Sequence, residues 1–231
     1  MDADTQSRRK FLSTGALAGG AALTAASYQR VLGANERIGV GFIGYGLIGK
    51  RHVVDFKRAD DAELVGVAEA HSGRLDEAVN FIGGDAKAYR DFRGLLDDSR
   101  VHAIVVSTPD HWHALMTMMA CAAGKDVYVE KPLTLFPNEG RWMLEVAKRT
   151  GRVVQVGTQQ RSGMHYQRAR ELIQRGHLGK IVSVRANAAR NIMPGYGSPP
   201  DQAPPSKLVY VLWLGPAPKR PYISNRASYH F

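Results

Sequence analysis

A glycine triad, a carboxylate and a lysine are the residues whose types and spacing suit chemistry in this 231-residue chain. The triad is Gly44-Tyr45-Gly46-Leu47-Ile48-Gly49, and it directly follows the apolar run Ile38 to Ile43. Gly44 permits a tight turn, Gly46 presents no side chain to a pyrophosphate, and Gly49 lets a helix pack closely on a strand. The amide groups of Leu47, Ile48 and Gly49 open the following helix, whose N-terminus attracts anions. Glu69 ends a second short run, Glu63 to Glu69. It stands at the distance where a carboxylate accepts from the adenosine ribose hydroxyls, about 20 residues beyond the glycines. The other reading of the triad is a turn in a packed α/β domain, and of Glu69 a solvated strand-end charge.

Two further clusters follow apolar runs. Ser107-Thr108-Pro109-Asp110-His111-Trp112-His113 comes after Ala103 to Val106, and Glu130-Lys131-Pro132-Leu133 after Val127 to Val129. His111 and His113 stand two apart, off a common helical face, and no Glu-x-x-His partner accompanies them, so no metal site is expected. Asp110 reads as a helix cap. Lys131, beside a proline that restricts the backbone, could donate a hydrogen bond to a hydroxyl or carbonyl oxygen at a centre undergoing hydride transfer. Its other reading is a loop lysine paired with Glu130.

These residues need a scaffold that brings strand ends together. Strands are expected at 38–43, 63–67, 103–107, 127–129 and 153–156. Helices are expected at 47–57, 73–81, 92–97, 113–123 and 138–149. The alternation implies an α/β fold, a doubly wound, mostly parallel sheet covered on both faces. Its ligands would lie at the carboxyl ends of the strands. The expected organisation is a leader, 1–34; a nucleotide-binding domain, 35–155; and a partial second α/β domain, 156–231. The last carries a helix at 165–175, a strand at 181–187 and a Pro/Gly-rich loop at 193–205.

The leader contains Ser7-Arg8-Arg9-Lys10-Phe11-Leu12 and then an uncharged stretch rich in Ala and Gly. This is a twin-arginine export pattern. The stretch nears the length of a short membrane span, but its glycines and hydroxyl residues make it only mildly apolar. Export to the periplasm is expected, without a stable membrane anchor. The formal net charge is +10. Its basic residues are scattered and form no block, so no nucleic-acid partner is expected. The one cysteine, Cys121, excludes an internal disulfide and reads as a small buried hydrophobe.

Together these motifs resemble the Gfo/Idh/MocA oxidoreductases, the glucose–fructose oxidoreductase and inositol dehydrogenase group. Val156-Gly157-Thr158-Gln159-Gln160-Arg161 and Trp213-Leu214-Gly215-Pro216-Ala217-Pro218 are similar to its exported branch, and the resemblance runs over roughly residues 5–231. It implies an NAD- or NADP-binding Rossmann domain, a sugar or polyol substrate and a homo-oligomer in full-length relatives. The family's catalytic lysine falls on Lys131. Ser107, Thr108, Pro109 and His111 would line the nicotinamide side, with Glu130 adjoining. Glu69 favours NAD, whereas Arg74 could contact a 2′-phosphate. Relatives run further and add an Asp and a His, a region this sequence does not reach. Three readings follow: a polyol or sugar oxidoreductase, an NAD-dependent redox glycosidase, and a truncated nucleotide-binding remnant.

Overall fold

The structure is a computed structural model and describes residues 37–187 and 195–227. The leader expected over 1–34 and part of the loop expected at 193–205 lie outside the described residues. From Ile38 onward the chain groups into one unit.

The strands are β1 (Ile38–Ile43), β2 (Ala62–Ala68), β3 (Lys87–Tyr89), β4 (Ala103–Val106), β5 (Asp126–Glu130) and β6 (Val154–Gly157). They form one sheet in the order β3-β2-β1-β4-β5-β6, and every neighbouring pair is parallel. The helices are α1 (Leu47–Phe56), α2 (Ser72–Ile82), α3 (Phe92–Leu96), α4 (Asp110–Ala122), α5 (Pro137–Thr150), α6 (Met164–Gln174) and α7 (Tyr210–Leu214), with a 3-10 turn at Gln159–Ser162. The strand order reverses between β1 and β4, which opens a crevice at their carboxyl ends.

Two apolar cores cover the sheet. On one face Val53 of α1 and Leu75 and Ala78 of α2 pack on Val40, Phe42, Val67 and Val105. On the other, α3, α4 and α5 supply Leu95, Met116, Ala120, Cys121 and Met143 against Ile43, Ile104, Val106 and Val129. Consecutive strand residues point to opposite faces, so the unbroken apolar run of β4 is buried on both. β2 changes parity midway. Val40 pairs with Leu64, but Gly41 pairs with Gly66, so Val65 is an extra residue. Such a bulge swaps which side chains face which core, and Val65 and Val67 accordingly enter different ones. The glycines of β1 have a packing role. A Cβ at Gly41 would press on Leu95 at 3.1 Å.

The α/β reading of the sequence holds, with local corrections. Strand β3 was not expected, because three residues with an exposed Lys87 and Ala88 carry too little pattern. Helix α4 begins three residues earlier than expected. Pro109, at φ −61°, occupies the N-cap, and Asp110 lies in the first turn instead of capping it. The strand expected at 181–187 is absent: those residues have no regular structure. Val182 and Val184 are 85% and 87% exposed, so their β-branched character has no neighbouring strand to pack on.

Candidate dinucleotide site

The crevice holds a cavity of ≈ 600 Å³ lined by Gly44, Gly46, Leu47, Ile48, Glu69, Arg74, Ser107, Thr108, Pro109, Glu130 and Lys131, among others. Nearly all the residues singled out by sequence therefore meet at one place, although they come from four segments far apart in the chain.

Each glycine of the turn has a separate geometric reason. Gly44 sits at φ +91°, and a Cβ there would lie 2.7 Å from the Ser107 carbonyl oxygen. A Cβ on Gly49 would stand 2.2 Å from the Gly44 carbonyl oxygen, so the α1 backbone rests directly on the turn. At Gly46 a Cβ would meet nothing within 4 Å. It would project into open space beside the cavity. The α1 N-terminus has no side-chain cap, which leaves its N–H groups for an anion.

Glu69 has two roles in view. Its carboxylate accepts from the Tyr45 N–H at 2.7 Å and the His71 N–H at 2.9 Å. It thus braces the glycine turn from β2, and its remaining lone pairs face the cavity. Arg74 and Arg90 share that wall, and Arg90 was not anticipated. On the opposite wall Ser107 Oγ and Thr108 Oγ1 are buried without a hydrogen-bond partner among the described residues. Buried hydroxyls normally find partners, so these two fit a polar ligand. An open cradle at Gly46, free helix N–H groups, a ribose-side carboxylate and two unpartnered hydroxyls together match a dinucleotide.

Lys131 is exposed and lines the cavity, whereas Glu130 is only 3% exposed. Their pairing is not between side chains: Glu130 Oε2 accepts from the Lys131 backbone N–H at 3.1 Å. Glu130 Oε1 lies 2.7 Å from His52 Nε2 on α1 and accepts from Gln159 Nε2 at 3.2 Å. Tyr128 packs edge-on to His52, with ring centroids 5.1 Å apart. Burial, and then the Glu130 charge, push its phenol pKa up. The Lys131–Pro132 peptide is cis.

The two histidines of the 107–113 cluster part company. His111 does not line this cavity. Its Nε2 is 2.9 Å from the Trp213 carbonyl oxygen, and it borders a neighbouring cavity of ≈ 520 Å³. His113 is 1% exposed. Its ring bridges the Pro132 carbonyl oxygen at 2.6 Å and the Thr108 carbonyl oxygen at 2.8 Å. No group of metal-ligating side chains occurs among the described residues. His52 escaped the sequence reading because it sits in no cluster, and Gln159, although within the Val156 to Arg161 motif, was given no role in the site. The spacing Gly49-x-x-His52, one helical turn past the triad, was the available signal.

A strap closes one side. Residues 207–214 run along the crevice: Ser72 N–H donates to the Lys207 carbonyl, Val209 N–H to the Ala70 carbonyl, and Trp112 Nε1 to the Leu212 and Trp213 carbonyls. Leu212 and Trp213 line the cavity.

The fold and this site define a dinucleotide-binding Rossmann module. The family profile described as "Oxidoreductase family, NAD-binding Rossmann fold" matches residues 38–158, just over half of the chain. The chain belongs to this family, the Gfo/Idh/MocA oxidoreductases. An inositol 2-dehydrogenase of Klebsiella pneumoniae is 32% identical over 181 residues, 76% of this chain and 53% of that one. A glycosyl hydrolase family 109 protein of Shewanella pealeana is 32% identical over 126 residues, 50% of this chain and 27% of that one. The crystal structure of scyllo-inositol dehydrogenase from Lactobacillus casei with NAD(H) and scyllo-inositol matches with a TM-score of 0.59 and 25% identity, over 62% of this chain and 42% of that one. The chain spans about half the length of the curated inositol dehydrogenases it matches.

Proposed function

We propose that this protein is an NAD-dependent oxidoreductase that moves a hydride between the nicotinamide and a sugar or polyol. One observation carries the reading: the glycine turn with Glu69 and the exposed Lys131 line a single cavity. The inositol dehydrogenase relatives support the substrate class. When bound, the nicotinamide supplies or accepts the hydride. The chain's own residues do the rest. The α1 N-terminus and Gly46 hold the pyrophosphate, and Glu69 holds the adenosine ribose. Ser107 and Thr108 donate from the far wall. Lys131 Nζ contacts the reacting oxygen and carries its proton.

Glu69 favours NAD over NADP, because a carboxylate repels a 2′-phosphate; Arg74 is the residue that opposes it. The test is an NADH fluorescence titration followed by turnover on a panel of sugars and polyols. Lys131→Ala is expected to keep NADH binding and to lose about 100-fold or more in turnover, the usual worth of a general acid–base group. Absence of NADH binding, or a Lys131→Ala variant as fast as the parent, overturns the reading.

A redox glycosidase is the second reading, supported by the glycosyl hydrolase family 109 relative. Release of free aglycone without net NADH formation distinguishes it.

The Arg8-Arg9 pattern supports export to the periplasm. Arg8→Lys with Arg9→Lys is expected to keep the protein in the cytoplasmic fraction, and unchanged periplasmic recovery refutes export by this route. Self-association, which the family resemblance implies, is part of the same reading and is measured by sedimentation.

A further inference from the structure

Lys131 Nζ makes no hydrogen bond or ion pair to a described residue, so the pose of this side chain is set through its backbone. That backbone is gripped on both sides. The Lys131 N–H donates to Glu130 Oε2 at 3.1 Å. One residue on, the Pro132 carbonyl lies 2.6 Å from His113 Nδ1. Neither grip is free-standing. Glu130 is itself held through Oε1 by His52 at 2.7 Å, and His113 is held through Nε2 at the Thr108 carbonyl, 2.8 Å away. Both imidazoles are buried, His52 at 8% and His113 at 1% exposure, and neither is among the residues lining the cavity.

The origins of the two histidines give the arrangement its meaning. His52 comes from α1, the helix whose first turn faces the pyrophosphate position. His113 comes from α4, directly behind the Thr108 wall. Each ties the lysine segment to a different part of the nucleotide cradle.

We propose that His52 and His113 are positioning residues for Lys131: two buried imidazoles, from two helices, that clamp its peptide so that Nζ takes one pose relative to the bound dinucleotide. This rests on the reading of Lys131 as the group that serves the reacting oxygen. A hydrogen bond to a buried charged group is strong and costly to break. Loss of either clamp is therefore expected to free the lysine. Because His113 is among the largest fully buried side chains and His52 packs edge-on to Tyr128, cooperative melting of each variant is checked alongside.

The experiment uses the full chain, reductively methylated with 13C-formaldehyde, and reads the Lys131 dimethylamine resonance by NMR, assigned with Lys131→Arg. ADP-ribose fills the adenosine and diphosphate positions without a nicotinamide, and NADH fills the whole site. In the parent a single narrow Lys131 resonance is expected, shifted by NADH. His52→Ala and His113→Ala are expected to broaden or split it, in the free and the ADP-ribose-bound protein, with little change in NADH affinity. His52→Gln keeps an amide donor toward Glu130 and is expected to restore the narrow line.

Alanine variants that leave the resonance as in the parent overturn the clamp. So does a His52→Gln variant as disordered as His52→Ala, because packing alone would then be responsible. Should an alanine variant not melt cooperatively, Glu130→Gln conserves volume and sets an amide N–H₂ against at least one of the three nitrogen partners of Glu130, the Lys131 N–H, His52 Nε2 and Gln159 Nε2. An unaltered Lys131 resonance there overturns the proposal equally. If NADH leaves the parent's resonance unmoved, the catalytic reading of Lys131 fails on its own, and the line widths of the variants still decide the clamp.

Discussion

At the residue scale, the three glycines of the turn look alike in sequence and differ in what they resist. Gly49 cannot carry a Cβ without displacing the Gly44 carbonyl, 2.2 Å away. Gly46 can carry one in the free protein, because nothing lies within 4 Å. The two substitutions therefore separate. Gly49→Ala is expected to lose about 1–3 kcal/mol of stability in urea unfolding, the usual cost of overpacking. Gly46→Asp is expected to melt like the parent yet lose NADH binding by tenfold or more, about 1.4 kcal/mol, because its side chain and charge enter the pyrophosphate position. A Gly46→Asp variant that still binds NADH normally places the dinucleotide elsewhere.

At the element scale, the short edge strand β3 is held by one carboxylate. Asp98 accepts from Arg100 Nε at 3.2 Å and Nη2 at 2.9 Å, and from the Tyr89 hydroxyl at 2.7 Å. Lys87 Nζ lies 3.5 Å away. The Arg100 side chain, aided by its backbone N–H and by Tyr89, holds the Asp98 carboxyl well below the usual carboxylate range against the opposing effect of burial. A depressed folded-state pKa adds stability that is full above the unfolded value, about 3.9 for Asp. That stability is lost as pH falls below it toward the folded value. Asp98→Asn is expected to cost about 2 kcal/mol at pH 7, the scale of a hydrogen bond to a charged group. The difference from the parent should shrink when both are unfolded below pH 3. A gap independent of pH would place the effect in packing and not in the charge.

At the scale of the whole molecule, a segment distant in sequence closes the cleft. The strap at 207–214 reaches back over 100 residues, and its exit depends on Gly215. That residue sits at φ +49°, and a Cβ would overlap the Trp112 ring at 2.0 Å. Gly215→Ala is expected to push the strap off Trp112, raise proteolytic cleavage within 207–214 and weaken NADH binding. Parent-like cleavage and affinity would show that the strap is not part of the site. Beyond the cleft, helix α6 buries no residue, and Met164, Ile173 and Leu178 stand exposed. The helix expected at 165–175 therefore forms, but it buries none of its own residues among the described ones.

Local pattern sufficed for much of this protein. The doubly apolar β4, the triad after β1 and an acidic residue after β2 are short-range signals, and the backbone periods of strand and helix make them readable. Strand β3 and the Val65 bulge were not readable, because three residues carry no period and a bulge depends on the partner strand. The strand expected at 181–187 failed for the complementary reason: β-branched residues form a strand only where a neighbour supplies hydrogen bonds. The sequence by itself determined the kind of sheet and the residues that reach its carboxyl end. Only the tertiary structure decided that Glu69 braces the turn, that His111 borders a second cavity while His113 is buried, and that His52 and Glu130 meet across 78 positions. Contacts of that sequence separation leave no periodicity, since they arise where independently folded elements are brought together by the packing of two cores.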